Sequence, residues 1–386
     1  MYSDSPAVTS FTMRNRTGAL FVMVVLAACG GPAEAASPQA QPSAAGGTLT
    51  STGPMSQARF AHSATALDDG RVLIIGGTGS TTVTAAELYD PTQGMFTTIP
   101  GPAIPRSSHT ATKLRDGSVI VIGGYGSDDS YLTSIERFDP ESGQWRVAGH
   151  LLEARAGHVA VPLIDGRILV IGGVGTGWTF LASAELYDPA TESSTATGSM
   201  SVARESHVAA RLRDGNVLVI GGHAGRQAKM VLYASTELYD VASGTFHAAG
   251  EMQVPRHKHD AVLLHDGSVL VTGGADTRDS RGQYQSVERY DPETDHFSVM
   301  PPLALTRYKH AGTGIVLPDG TVLIAGGANA AERYDPVTGK TGVISGAADL
   351  PGLFSAVAPL PGGDVLVAGG YGHDVSGSNR AWRYRP

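Results

Sequence analysis

A pair of adjacent glycines closes an aliphatic run seven times along this chain. The pairs are Gly76-Gly77, Gly123-Gly124, Gly172-Gly173, Gly221-Gly222, Gly273-Gly274, Gly326-Gly327 and Gly369-Gly370. Successive pairs are 47, 49, 49, 52, 53 and 43 residues apart. Self-similarity at about 50 residues marks a repeat architecture, in which each unit buries its apolar face only against its neighbours. The spacing predicts one circular or stacked domain over residues 47–386.

Each unit parses into four short strands. In the first, strand one spans 61–67 and strand two 72–75, the latter almost wholly apolar, as a strand buried on both faces should be. Asp69-Gly70 between them predicts a tight hairpin with positive φ at both central positions. Asp-Gly recurs at 116, 165, 214, 266 and 319, and becomes Gly362-Gly363 in the last unit. Strand three spans 86–89 and ends at Asp90-Pro91, and strand four spans 96–99. The repeats run over approximately 55–101, 102–149, 151–198, 200–250, 252–301, 303–346 and 349–386.

The double glycines, with Glu-x-Tyr/Phe-Asp-Pro at 87, 136, 185, 288 and 332 and a degenerate copy at 237–241, resemble Kelch repeats over about residues 47–386. The resemblance implies an all-β, seven-bladed Kelch-type β-propeller of four-stranded antiparallel blades. Strand four departs from the family pattern. Its usual Trp occurs only as Trp145, and Phe96, Phe246 and Phe297 stand elsewhere. The seventh unit ends without a fourth strand, whereas 47–54 precede the first full unit and read as an orphan fourth strand. That N-terminal strand is expected to complete blade seven, removing the open sheet edge. Six blades with one odd repeat are the alternative.

The N-terminus reads as an address. Arg14 and Arg16 precede an apolar run, 19–28, too short to span a bilayer but suited to an export signal. It ends Leu26-Ala27-Ala28-Cys29-Gly30, which resembles a bacterial lipobox. Residues 1–28 are expected to be a lipoprotein signal peptide, with Met13 an alternative start. Cys29, the single cysteine, would carry the lipid, and 29–46, rich in Ala, Pro, Ser and Gly, would form a flexible tether. Gly30 lacks the Asp that retains lipoproteins at the inner membrane, so the outer membrane is favoured. The membrane is met only through this anchor. With a net charge of −8, nucleic acid is not an expected partner.

Arg-x-x-His opens six of the seven units: Arg59/His62, Arg106/His109, Arg155/His158, Arg204/His207, Arg256/His259 and Arg307/His310. Glu87, Glu136, Glu185, Glu237, Glu288 and Glu332 begin strand three on the same face. The seventh unit lacks both, with Trp382 at the Glu position. This matched gain and loss predicts an Arg–Glu bridge in each of six blades. The histidines, on the innermost strand, are expected to ring the mouth of the central channel. Hydrogen bonding to neighbouring backbone, polar ligand contact and metal ligation are all open to them.

In a four-stranded blade the loop before strand one and the loop joining strands two and three share a face. The latter differ in every unit: 78–85, 125–134, 174–183, 223–235, 275–286, 328–330 and 371–379. Variable loops on a rigid scaffold are where binding residues concentrate. The candidate ligand-binding residues there are Tyr125, Asp128, Trp178, His223, Arg226, Asp276, Arg278, Tyr371 and His373, with Asp129, Tyr131, Tyr284 and Asp374 beside them.

No Gly-x-Ser-x-Gly, His-Glu-x-x-His or phosphate-binding loop occurs. The favoured reading is a monomeric binding or scaffold module at the cell envelope, taking a protein, peptide or glycan, with no cofactor and no metal. The other is an extracytoplasmic carbohydrate-active enzyme. Galactose oxidase resembles this architecture, but its Tyr-Cys cofactor needs a cysteine, and the only one here lies in the export signal. A sialic acid mutarotase is also a Kelch propeller, and ring opening needs only an acid and a base, which His and Glu or Asp at the mouth would supply; a mutarotase- or epimerase-like enzyme and a metal-dependent oxidase without the Tyr-Cys cofactor are the two forms of this alternative.

Overall fold

The computed structural model describes residues 46–346, 350–372 and 376–386. The signal peptide, Cys29 and nearly all of the tether lie outside them. Seven four-stranded antiparallel sheets follow one another along the chain. In blade one the order is Ser63–Ala66, Val72–Ile75, Ala86–Asp90 and Met95–Ile99, so all four strands fall where the sequence puts them. The seven-bladed ring is what forms, and not the six-bladed alternative.

Blade seven is built from both chain ends. Thr48–Ser51 pairs antiparallel with Ala381–Arg385, in register Thr48↔Arg385 to Ser51↔Trp382. The inner strand of blade one lies against those of blades two and seven. Strand two of each blade is buried along its length, as in Val119–Ile122 and Val217–Ile220. Seven apolar clusters result, one at each seam between neighbouring blades.

The hairpin between strands one and two differs from expectation. In blade one Gly70 N–H donates to Leu67 C=O at 3.1 Å, and only the glycine has positive φ, 85°. A turn followed by a left-handed glycine needs one such residue, so Asp69 is free to bond Arg71 instead, accepting from its N–H at 2.9 Å.

The double glycines explain the period. Both take positive φ in blade one, 60° at Gly76 and 92° at Gly77. A Cβ on Gly76 would lie 2.9 Å from His109 Cε1 of the next blade, and one on Gly77 2.8 Å from His62 Cβ of its own. Gly77 N–H donates to the Arg106 carbonyl at 2.9 Å, and the same link crosses every seam, closing with Gly370 N–H to Arg59 at 2.9 Å.

A second belt lies at the axis. The residue before each His has positive φ: Ala61 (52°), Ser108 (51°), Gly157 (60°), Ser206 (54°), Lys258 (54°) and Lys309 (56°), with Phe354 (51°) equivalent in blade seven. Ser108 N–H donates to Ala61 C=O at 3.0 Å, Gly157 to Ser108 at 3.0 Å, Lys258 to Ser206 at 3.0 Å and Lys309 to Lys258 at 2.8 Å. Phe354 donates to Lys309 at 2.9 Å and Ala61 to Phe354 at 3.2 Å, so the belt spans the closure seam.

Blade six breaks the pattern. Sixteen residues separate His310 from Gly326, against fourteen between the matching residues of the other five Arg-x-x-His blades. The extra chain forms a turn at 311–312, and Asp260 of blade five stitches it down. The buried Asp260 carboxylate accepts from Gly312 N–H at 2.8 Å, Thr313 at 3.0 Å and Gly314 at 2.7 Å. Burial outweighs these donors and pushes its carboxyl up to about 6.

Candidate functional site

The repeated residues form the frame under the loop face. In blade two, Arg106 Nη1 donates to the Gly123 carbonyl at 2.9 Å and Nη2 meets Glu136 Oε1 at 2.5 Å. Glu136 Oε2 accepts from Ala103 N–H at 2.6 Å, tying the entry of strand one to strand three. The matching distances are 2.6 Å for Arg59–Glu87, 2.8 Å for Arg155–Glu185 and for Arg204–Glu237, 2.7 Å for Arg256–Glu288 and 2.6 Å for Arg307–Glu332. All six guanidinium groups are fully buried. A buried pair tolerates the loss of water only where its remaining hydrogen-bond groups find partners; glycine carbonyls and turn amides supply most of them here, and Nε of Arg59, Arg155 and Arg204 is left without one.

The six histidines turn their rings into the seams between blades, and three of them make hydrogen bonds to neighbouring groups, one of the roles left open to them. Each ring packs on the first glycine of the preceding blade's pair, from His109 on Gly76 to His62 on Gly369. His109 Nε2 lies 2.9 Å from Ser63 Oγ, His158 Nε2 3.0 Å from Thr110 Oγ1, and His310 Nε2 3.0 Å from the Thr272 carbonyl. The ring nitrogens of His62, His207 and His259 are buried without a well-formed hydrogen bond. Burial, with the neighbouring Arg, lowers His62, His109, His207 and His310 to about 3, and His158 and His259 also fall well below the usual range. They are neutral wedges between blades.

Above this frame three groups of contacting side chains form an arc around the mouth. It begins in blade two, where Tyr125 and Tyr131 share a hydroxyl hydrogen bond of 2.8 Å. Their rings lie 6.1 and 6.3 Å from Trp178 of blade three. Trp178 is 47% exposed and has φ 64°, a strained backbone for an indole residue. Arg226 of blade four stacks on it, Cζ 3.6 Å from the ring centre. Behind it Phe180 stands edge-on to the buried His223, centroids 5.5 Å apart.

His223 meets His257 of blade five, Nδ1 to Nδ1 at 3.3 Å. Glu205 Oε2 lies 3.3 Å from His223 Nε2, and Asp279 Oδ1 lies 3.9 Å from His257 Nε2. Lys258 Nζ holds both Asp279 oxygens, at 2.9 and 3.1 Å. Lys309 of blade six donates to Tyr371 Oη of blade seven at 2.6 Å, and Tyr371 packs edge-on against Phe60 of blade one at 4.9 Å. Burial lowers His257 to about 3 and lowers His223, Lys258 and Lys309. Burial would raise Asp279, but Lys258 holds it below the usual carboxylate range.

Of the residues singled out in the sequence, Tyr125, Trp178, His223, Arg226 and Tyr371 join this arc. Asp128, Asp276 and Arg278 do not. Asp128 accepts from Ser130 within its own turn, and Arg278 pairs with Asp276 at 2.5 Å on the surface. Tyr284 sits beneath, 5.7 Å from the buried Arg256 guanidinium. His373 and Asp374 lie outside the described residues. Sequence reasoning missed Glu205, His257, Lys258, Asp279 and Lys309. Four of them are the two variable positions inside Arg-x-x-His, which read Phe-Ala, Ser-Ser, Ala-Gly, Glu-Ser, His-Lys and Tyr-Lys in blade order. That variation between fixed ends was the available signal.

The arc presents hydrogen-bond donors, acceptors and aromatic faces side by side. Among the described residues no three His, Cys, Asp or Glu side chains converge as a metal site requires.

No curated protein matches the sequence. Among solved structures, the fold is similar to that of a fungal alcohol oxidase of the AA5 family, determined in complex with copper. The TM-score is 0.67, with 16% identity over 88% of this chain and 75% of that one. At that identity the likeness is one of fold. The family model of the Attractin/LZTR1 β-propeller matches residues 46–281, well over half of the sequence. The chain belongs to that Kelch-type propeller family.

Proposed function

We propose that this protein is a binding module of the bacterial cell envelope, held by lipid on Cys29 and taking its ligand, a protein segment, peptide or glycan, on the variable-loop face. The observation that carries the reading is the division of labour between the two sets of residues. The Arg–Glu–His frame directs its ion pairs and hydrogen bonds into and between the blades, whereas the arc above it joins aromatic rings, buried amines and imidazoles from all seven blades. Strained non-glycine residues mark the same loops: Asp129 (φ 63°), Trp178 (64°), Gln227 (51°) and Asp279 (56°). Such strain costs about 1–3 kcal/mol per residue and clusters at ligand-binding segments.

The test is comparative binding on glycan and peptide arrays. Trp178→Ala, Arg226→Ala and Asp279→Ala are expected to lose signal that Arg137→Ala, on the opposite face, retains. Equal loss in Arg137→Ala would sink the choice of face. Anchoring is tested separately. Mass spectrometry of the membrane fraction should find a diacylglyceryl-modified Cys29, and Cys29→Ser should release the protein.

A further inference from the structure

The mouth of the ring has two unequal halves. The seven left-handed belt residues surround the axis, and none of them is buried, so solvent reaches this level. In blades one to four they are Ala61, Ser108, Gly157 and Ser206, all small. In blades five to seven they are Lys258, Lys309 and Phe354. The open space therefore lies beside the three large side chains. The rim over blade six is also the shortest. Its two-to-three loop, 328–330, has three residues, against eight to thirteen in the other blades.

Lys309 stands at the edge of that space with hydrogens to spare. An ammonium has three N–H groups and accepts nothing. One goes to Tyr371 Oη at 2.6 Å, and among the described residues no other acceptor takes one. Because Tyr371 Oη accepts there, its own O–H points elsewhere, and it too lacks an acceptor among the described residues. Burial pushes the Tyr371 phenol up to about 12, so that hydrogen is present at neutral pH. Charge is unbalanced in the same way. Lys258 on the neighbouring blade holds both Asp279 oxygens, and no carboxylate of the described residues lies within 4.0 Å of Lys309 Nζ. Glu205 stands on the far side of the opening, over Gly157 and beside His223. What surrounds the amine instead is aromatic. Its Nζ lies 5.1 Å from the ring centre of Tyr308, 5.3 Å from that of Tyr371 and 5.4 Å from that of Phe354. Such rings favour the charged amine. They also form an apolar wall, continued by Phe60 against Tyr371 at 4.9 Å and ending in Phe354, 37% exposed.

Donors without acceptors, and a cation without an anion, call for a group that brings lone pairs and negative charge. The adjoining wall calls for carbon beside that group. We propose that Lys309 Nζ and Tyr371 Oη bind the oxygens of a carboxylate whose neighbouring carbons carry an apolar group, seated against Phe354 and Phe60. A sugar acid would set hydroxyls against these rings. The proposal rests on the loop face being the binding face, and names the chemical group that this face receives. Such a group occurs on a small free acid and at the C-terminal end of a peptide, and the experiment separates the two.

The experiment is calorimetric titration of the full chain. The probes are isovalerate and phenylacetate, their amides, acetate, methyl glucuronide, and the peptide acetyl-Ala-Ala-Ala-Leu as acid and as amide. At least one apolar acid, free or peptidic, should bind. Its amide should bind about tenfold more weakly or worse, as for a lost hydrogen bond to a charged group. Lys309→Met should weaken the acid by about the same factor. Tyr371→Phe, which keeps the ring packed on Phe60, should weaken it by about three- to tenfold. Binding of the peptide acid alone assigns the chain end, and binding of the small acids alone assigns a free acid. An acid and its amide bound equally, or an acid bound equally by wild type and Lys309→Met, overturns the carboxylate site and leaves the loop-face reading standing. Acetate or the glucuronide bound as tightly as the apolar acids overturns the role of the aromatic wall, and silence from every probe overturns the proposal whole. Array binding that survives Trp178→Ala and Arg226→Ala would instead count against the face itself.

Discussion

Six blades hold their inner corner with a buried ion pair, and the seventh holds the same corner without one. Where Arg204 and Glu237 meet in blade four, blade seven has Gly352 and Trp382. Trp382 packs with Leu49, Leu350 and Tyr384 in the seam against blade six, and Leu49 comes from the other end of the chain. The Gly352 carbonyl still accepts from Gly327 N–H, at 2.6 Å, so the seam-crossing link survives the loss of the Arg. The lesson is that the backbone link is the invariant of this ring, and that either a satisfied charge pair or an indole can fill the space beneath it. Apolar replacement of a buried pair is often neutral, whereas removal of one partner is not.

The largest test removes what blade seven has in place of the pair. Deleting 47–54 takes away Leu49 and the partner of Ala381–Arg385, and the ring should open and aggregate. Light scattering during thermal unfolding checks this, and a deletion variant that melts like the parent contradicts closure by the N-terminal strand. Next in size, Arg204→Ala leaves Glu237 charged and buried, at an expected cost of about 3–5 kcal/mol in denaturant unfolding. The double variant Arg204→Gly/Glu237→Trp copies blade seven and should recover at least half of that loss. Recovery of nothing would mean that blade seven depends on its two-ended sheet alone.

A smaller effect belongs to the one seam repaired by a lone carboxylate. With its carboxyl raised to about 6 by burial, Asp260 binds a proton more tightly in the folded chain than in the unfolded one. Stability should therefore fall as pH rises from about 4 to about 6 and be level above, by at most about 3 kcal/mol. Asp260→Asn should remove that slope, and an unchanged pH profile would show that the amide donors, Ala261 N–H at 2.9 Å included, outweigh burial. The smallest effect is Trp178→Gly, which relieves a φ of 64°. It should leave stability within about 1 kcal/mol of the parent while abolishing array binding, separating the arc from the frame.

The fold was almost wholly legible because it is written seven times. Glycine pairs, Asp-Gly turns and Glu-x-Tyr-Asp-Pro each specify a local backbone state, and repetition removes ambiguity. The Arg–Glu geometry could be read from matched presence and absence in one sequence. The direction of the histidines could not, because strand position gives a distance from the axis but no side-chain rotation. The arc was half legible. Trp178 and Tyr371 stand out in loops, but His257 and Lys258 are enclosed by a motif whose fixed ends draw the eye. The turn at 311–312 left a trace in the longer step from His310 to Gly326, and only the structure shows Asp260 reaching across to hold it.

The belt of left-handed residues at the axis has a consequence for how such a protein diversifies. Its links are main-chain groups, so they persist when the side chain above them changes, and the seven positions already carry Ala, Ser, Gly, Ser, Lys, Lys and Phe. Each is a socket that a single codon can refill without disturbing its neighbours. A lineage could retune what enters the opening one blade at a time while the aperture keeps its width.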